Sequence, residues 1–600
     1  MQKSVILKME SGNMKRFFST FGAALLAFMT GVLLLCLLIF SLLSVVSGSL
    51  SHKPAALSDN TVLVIDFENG IVDSPENGYG SFNLMNRRFM KSNTLLSVVE
   101  AIRCAAHDDK IKGIYINAGS YIVTNSANIE ELRNELLKFR ESGKFIVSYN
   151  DSYSQTMYWF GSVADRMYMN PAGEMEWHGV SASVMFYKRL LDKLDIEVQV
   201  VRHGTFKSAV EPYISNEMSP ANRLQMTGIV ESLWNVILED VSSSRNIAVE
   251  DLRSYAAALS VDTPENAVKL GFIDDLRYSD EVVAELNELS GGTVDMISIG
   301  EYISGLVDKK ISRNKIAVIY AEGQIVEGSN SNGSAGDRTL CEQIAKARRD
   351  NGVKAVVLRV NSPGGSALAS ENIWREMELC RELKPVIVSM GGTAASGGYY
   401  ISSPADAIFA DRSTLTGSIG VFGMILNVGK ALNNKLGVNV EVVKTSSSAD
   451  MGNITRALTS SEKAYLQKNI ERCYTTFVNH VAEGRNMTFA QVDSIGQGRV
   501  WLGTDALKIG LIDGFGGLTD AIELAASRAG VGDDYRVFEI TETNSLSMIL
   551  SMLSNANVMQ RPVSKTGSEL TEGLTHLEYL RKVAERNGIM ALMPFDITIH

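Results

Sequence analysis

The sequence predicts a layered α/β protein built from two tandem copies of one unit, carried behind an apolar N-terminal helix. Three observations predict it. Short β-branched runs alternate with amphipathic helical patterns from about residue 60 to about residue 535, these runs repeat at a nearly constant spacing, and no charged residue occurs from Phe17 to Ser51. Strand–helix alternation marks layered α/β domains. A chain of 600 residues also exceeds what a single core serves.

In chain order, residues 1–16 hold Lys3, Lys8, Lys15 and Arg16 against one acid, Glu10. The densest apolar part after them, Phe21 to Val46, is 26 residues and long enough to span a bilayer with some tilt. The basic flank places the N-terminus in the cytoplasm and the rest of the chain on the far side of the membrane. A cleaved signal peptide competes with this reading, because Ser47, Gly48 and Ser49 are small, but its apolar region normally runs only about 7–15 residues. The expectation is a cytoplasmic stretch 1–16, a transmembrane anchor 17–47 and a linker 48–60.

An internal repeat organises the rest of the chain. Leu63–Asp73 resembles Ala317–Glu327, Ile111–Ile116 matches Val353–Leu358, Phe145–Ser148 matches Val386–Ser389, Tyr158–Asp165 matches Tyr399–Asp406, and Gly179-Val180 matches Gly420-Val421. The offset is 254 at the first match and 241–242 afterwards, so the first copy carries about a dozen extra residues, assigned to the Asn77–Met90 loop. The clearest helical patterns are Ile129–Phe139 and Ser370–Leu383, with apolar residues three and four apart. This gives an N-terminal repeat domain 61–305, a C-terminal repeat domain 306–540 and an extension 541–600. In the extension Ser545–Val558 is rich in Met and Leu, and Glu578–Arg586 reads as a charged helix.

Composition excludes some classes. The chain is 45% hydrophobic and 21% charged, which argues against bulk disorder, and its net charge of −11 argues against nucleic acid as the main partner. The five cysteines, Cys36, Cys104, Cys341, Cys380 and Cys473, form no CxxC pair and fit no zinc spacing; they read as buried free thiols.

Chemistry concentrates in three places. In Pro385–Tyr400 an apolar strand runs into small residues, then Ser396, then a helix. A serine at such a turn sits where free backbone N–H groups gather, and the Gly397 amide beside it is a candidate oxyanion donor. In Val360–Ser366 a Pro-Gly-Gly turn follows a strand and offers the Gly365 amide as a second donor. Each motif alone is a common small-residue turn. A serine needs a base, and among seven histidines only His178 and His203 fall near these motifs, both in the first copy. Lysine is the known substitute. Lys207, in Val200–Pro212, lies just beyond a strand among apolar and small residues. A lysine acts as a base only when uncharged, and desolvation supplies that condition.

Together, Arg359-Val-Asn-Ser-Pro-Gly-Gly365, Ala394-Ala-Ser-Gly-Gly-Tyr399, Leu415-Thr-Gly-Ser-Ile-Gly420 and Phe206-Lys-Ser-Ala-Val-Glu-Pro212 resemble the signal peptide peptidase A (protease IV) family in its long, duplicated form, over about residues 55–535. The resemblance implies two tandem Clp-protease/crotonase-like domains behind a transmembrane helix. It implies a serine endopeptidase with Ser396 as nucleophile, Lys207 as base, Ser418 orienting the lysine, and Gly365 and Gly397 as oxyanion donors. It implies no metal or cofactor. The substrates would be hydrophobic peptides, remnant signal peptides above all, and the setting a homotetramer in the bacterial inner membrane with its catalytic domains on the periplasmic side. An acyl-CoA enzyme of the crotonase type and an inactive peptide-binding scaffold are the competing readings.

The repeat supplies a partly separate argument. At the 241 offset Ser396 falls on Gln155, the Pro-Gly-Gly turn on Ser120–Val123, and Lys207 on Ser448 or Ala449. Each copy retains one half of the pair and lacks the other, as one composite site built from both copies requires.

Overall fold

Each copy of the repeat folds around a sheet whose six-strand parallel run has the same order in both, and the second sheet adds Leu415–Gly417 and the antiparallel Val500–Leu502. The structure is a computed structural model; it describes residues 21, 25–34, 57–67, 70–75, 79–83, 88–91, 93–119, 124–306, 312–331, 333–541 and 589–593. In the first copy the order is Asp275–Leu276, Arg166–Met169, Phe145–Asn150, Ile111–Ile116, Thr61–Ile65, Asp295–Ser298. In the second it is Gly514–Phe515, Ala407–Ala410, Val386–Ala395, Val353–Ser362, Lys315–Glu322, Arg536–Glu539. All neighbours in both runs are parallel. Parallel strands are covered on both faces, so they read as unbroken apolar runs. Ile316 to Ala321 are all buried, as are Ala355 to Val360.

The two expected helices are present with different limits. They run Ser126–Arg140 and Ala367–Arg381. Both start earlier than the apolar spacing indicates, because the caps Asn125 and Ser366 accept the N–H groups of Asn128 and Ala369 one turn upstream. The stretch assigned to an Asn77–Met90 loop contains two short strands, Tyr79–Asn83 and Arg88–Lys91. The expectation of buried thiols is corrected in part. Cys380 is buried, Cys341 and Cys473 are half-buried, and Cys104 is exposed on the outer face of the Leu95–His107 helix. Cys36 lies outside the described residues.

Residues 1–55 with 82–89 form one unit, and 56–81 with 90–600 form another that contains both repeats. In the first unit Phe21 and residues 25–34 are helical, with Leu26, Phe28 and Met29 exposed. Among the described residues no helix is long and apolar enough to cross a membrane. The rest of the expected 17–47 anchor lies outside the described residues.

Two devices join the repeats. The first is a pair of crossing strands: Glu197–His203 of the first copy runs antiparallel to Val421–Asn427 of the second, with His203 opposite Val421. The second is a buried charge network. Arg359, at the centre of the second sheet, donates to Asp73 Oδ1 at 2.9 and 3.1 Å and to Asn128 Oδ1 at 2.9 Å, both in the first copy. On the same first-copy helix, Glu130 accepts from Arg412 Nε at 2.5 Å and Glu131 from the Leu518 amide at 2.7 Å. A buried charge persists only when paired and hydrogen-bonded, so these contacts fix how the halves meet.

In the extension, Ser545–Val558 and Glu578–Arg586 lie outside the described residues. Ile589–Leu592 is a strand, antiparallel to both Gly364–Ser366 and Val421–Asn427, and it lies between them in the sheet.

Candidate active site

Ser396 ends the Val386–Ala395 strand and precedes the short Gly397–Ser402 helix. Its backbone is left-handed, with φ 56° and ψ −111°. A residue with a Cβ costs about 1–3 kcal/mol in such a sparsely populated region, and the strain persists only where the surroundings enforce it. The enforcing bonds are the Ser396 amide to Gly417 O at 2.8 Å and the Tyr400 amide to Ser396 O at 2.8 Å. Ser418 is also left-handed, at φ 51°, and its amide donates to Arg499 O at 2.7 Å.

The crossing strands deliver Lys207. It lies four residues past His203, while Ser418 lies three residues before the paired Val421. Lys207 Nζ is 2.8 Å from Ser396 Oγ, 3.0 Å from Ser418 Oγ and 3.2 Å from Ser418 O. Lys207, Ser396 and Ser418 are all 0% exposed. Burial pushes the Lys207 amine well below the ordinary lysine range. A neutral amine has two N–H donors and one lone pair. With both hydrogens directed at the two Ser418 oxygens, the lone pair faces the Ser396 hydroxyl.

The lysine turn is clamped by a loop that the sequence motifs did not single out. Phe206 donates to Gln497 O at 2.9 Å. A Cβ on Gly498 would stand 2.7 Å from Lys207 Cβ, so a glycine is required there. Gln225, also unanticipated, accepts from the Val500 amide at 2.8 Å and donates to Ser208 at 3.4 Å, bracing the same turn. The Arg359–Asp73 network was missed as well. Asp73 ends a matched segment and Arg359 directly follows one, but their pairing depends on how the halves meet.

The two glycines of interest converge. Gly364, at φ +97°, turns the chain so that Gly365 faces the serine turn, and a Cβ on Gly397 would lie 3.1 Å from Gly365 N. Beside them is a cavity of about 800 Å³, lined by Ser366, Leu368, Tyr400, Phe477 and Ala591 among others.

The other candidates are elsewhere. His178 is exposed, and His203 stacks on Tyr474 with ring centres 3.9 Å apart. Gln155, at the first-copy position of the serine, binds backbone instead: it donates to Gly179 O at 3.0 Å and accepts from the Gly179 amide at 2.9 Å. Ser448 and Ala449, at the second-copy position of the lysine, are exposed. Ser120–Val123 lies outside the described residues. Among the described residues no group of three His, Cys, Asp or Glu side chains is arranged to hold a metal ion.

Comparison with known proteins places this arrangement. The peptidase family S49 profile matches twice, over residues 138–292 and 378–532. The chain is 37% identical to Protease 4 of Salmonella typhi over 527 residues, covering 85% of this chain and 84% of that protein. It is 34% identical to Protease 4 of Haemophilus influenzae, covering 86% of this chain and 88% of that protein. It is 32% identical to the chloroplastic serine protease SPPA of Arabidopsis thaliana, covering 84% and 76%. Two family matches, one within each copy of the repeat, and relatives aligned over most of their own length, make the chain a member of peptidase family S49 and a serine peptidase.

Proposed function

We propose that this peptidase is a membrane-anchored endopeptidase whose nucleophile is Ser396 and whose general base is Lys207, acting on hydrophobic peptides such as signal peptides left in the membrane. One observation carries the reading: a fully buried lysine amine, its pKa lowered well below the ordinary range by desolvation, lies 2.8 Å from a serine hydroxyl on a strained turn. Lys207 takes the Ser396 proton as Oγ attacks a peptide carbonyl. The Gly365 and Gly397 amides receive the oxyanion, Lys207 returns the proton to the leaving amine, and water releases the acyl group. Ser418 directs the amine. The two-sheet repeat and the serine turn fit the Clp-protease/crotonase-like class.

The apolar run from Phe17 to Ser51 and its basic flank support a single-pass anchor, with the peptidase domains on the periplasmic side of a bacterial inner membrane. The cleft beside the serine accepts an extended peptide as an added strand, the usual way to hold an apolar segment by its backbone.

The repeat also supports a closed homo-oligomer, a tetramer by resemblance. At the 241 offset, the counterparts of the crossing strands are residues 180–186 and 438–444. Neither stretch is part of a helix or a paired strand, and Met185, Val438, Val440 and Val442 are exposed. Each chain thus offers one free strand of each kind. Pairing them between successive chains, with Val180 opposite Lys444, repeats the internal join and closes a ring.

A fluorophosphonate probe tests the site. It should label Ser396 in the parent and fail to label both Ser396→Ala and Lys207→Ala. Labelling or peptide turnover at the parental rate in Lys207→Ala would remove the lysine from the mechanism.

A further inference from the structure

The cavity of about 800 Å³ beside the serine is not apolar throughout. Phe477, Val421 and Leu368 supply apolar wall, but the carboxylate of Glu371 stands in the same wall, its side chain 39% exposed. A carboxylate placed there loses water when a peptide seats. That loss costs free energy unless the peptide brings a partner for it.

The carboxylate is held in one place. His480 Nε2, on the Ser460–Gly484 helix, lies 3.0 and 3.4 Å from its two oxygens, and the His480 ring stacks on Trp374 with ring centres 3.5 Å apart. Facing an acceptor, Nε2 carries the hydrogen, and a neutral imidazole donates it without cancelling the charge. The Tyr400 hydroxyl donates to Glu371 Oε2, and burial pushes that phenol well up, so it stays a donor. The hydrogen bond from His480 holds the Glu371 carboxyl below the usual range. Tyr400 also donates its amide to Ser396 O at 2.8 Å, so one residue ties the carboxylate to the serine turn. The other charged side chains in the wall are Glu327, which accepts from Ser366 at 2.9 Å, and Arg472, both exposed. Two acids thus face one guanidinium.

We propose that Glu371 makes this cavity a subsite for a basic side chain, so that the peptidase prefers apolar peptides carrying a lysine or arginine at the position that enters it. The inference deepens the Ser396/Lys207 reading and rests on it, because that reading makes the cavity part of the peptide cleft. Lysine and arginine suit both parts of the wall. Their methylene stems pack on Phe477 and Leu368 while the charged end reaches the carboxylate. Already fixed by His480 and Tyr400, Glu371 loses little freedom when it binds. Arg472 opposes the incoming charge and moderates the preference. Alternate side chains of an extended peptide share a face, so the preference belongs to particular positions and not to the peptide's overall charge.

The test uses the full chain and a fluorogenic apolar peptide in which each residue flanking the scissile bond is in turn lysine or norleucine, which keeps the stem and lacks the ammonium. Assays at about pH 8 keep an ordinary imidazole neutral and a peptide lysine charged. In the parent, lysine should raise kcat/KM over norleucine about tenfold at one position, the lower end for a hydrogen bond to a charged group because the carboxylate is partly exposed. Glu371→Gln keeps the shape and removes the charge, and should abolish that preference. Arg472→Gln should increase it. A parent that cleaves these peptides with no lysine preference at any position, or a preference that survives Glu371→Gln, overturns the inference and leaves the Ser/Lys reading intact. If Glu371→Gln does not fold, Arg472→Gln decides, and a preference that it leaves unchanged or lowers overturns the inference. A parent that neither cleaves the peptides nor takes the fluorophosphonate label overturns both readings.

Discussion

Replacing Ser418 by alanine isolates the contact proposed to aim Lys207 as the base. Ser418 Oγ is 3.0 Å from Lys207 Nζ, and the Ser418 carbonyl is 3.2 Å away. The variant keeps the carbonyl and loses the hydroxyl, so one amine hydrogen stays directed and the other is left in a dry site. An unmade hydrogen bond of this kind costs about 1–3 kcal/mol. With one acceptor retained the loss belongs near the lower end, about 1.4–2 kcal/mol, which is about a 10- to 30-fold fall in kcat. KM should change little, since Ser418 lies behind the lysine rather than against the peptide. The pH profile carries a second signature. The hydroxyl oxygen also stabilises the charged ammonium, so removing it makes Lys207 harder to protonate and moves the acid limb of kcat to lower pH. The assay is pre-steady-state acylation by a chromogenic ester across pH, with the melting temperature as a folding control. A folded Ser418→Ala enzyme with parental kcat and an unmoved acid limb would refute the orienting role.

Three further outcomes are expected. Burial holds Lys207 below the pKa it has in the unfolded chain. Between those two values the unfolded state binds more protons, and stability rises with pH. Lys207→Met should therefore melt at a higher temperature than the parent at neutral pH, with the advantage shrinking as pH nears the ordinary lysine value; a lower melting temperature at neutral pH would contradict this. Asp73→Ala should destabilise the fold by up to about 3–5 kcal/mol in urea titration, because the buried Arg359 guanidinium loses the carboxylate it donates to and keeps the more distant Glu131 at 3.5 Å, and Arg359→Met added to it should recover part of that loss. A double variant as unstable as the sum of its singles would show that the pair is not what joins the halves. Ser183→Cys with Glu441→Cys should form interchain disulfides on mild oxidation, beyond those of either single variant, and a monomer by light scattering with no such bridge would rule out the ring.

The parts of this protein visible in its sequence are those that local chemistry specifies. The β-branched runs at Ile111–Ile116 and Val353–Leu358 became parallel strands because a buried parallel strand has to be apolar throughout. Lys207 could be matched to Ser396 because each copy had visibly lost one of them. What the sequence hid depends on partners far away along the chain. The pairing of Glu197–His203 with Val421–Asn427 joins residues more than 200 positions apart, and neither run names its partner. The helix starts were set by Asn125 and Ser366, side chains outside the apolar periodicity. Ile589–Leu592 is a short apolar run with no alternation, and its strand geometry comes entirely from the cleft that receives it.

Because the hydroxyl and the amine travel on different halves, 189 positions apart, their meeting reports that the whole molecule has closed. On the proposed Ser/Lys reading, a chain still short of its second copy, or one half released by damage, carries a serine without a base or a base without a serine. On that reading, a chain released before its second copy is made has no complete site with which to digest its neighbours. On the same reading, closure of the two halves itself acts as a safety catch.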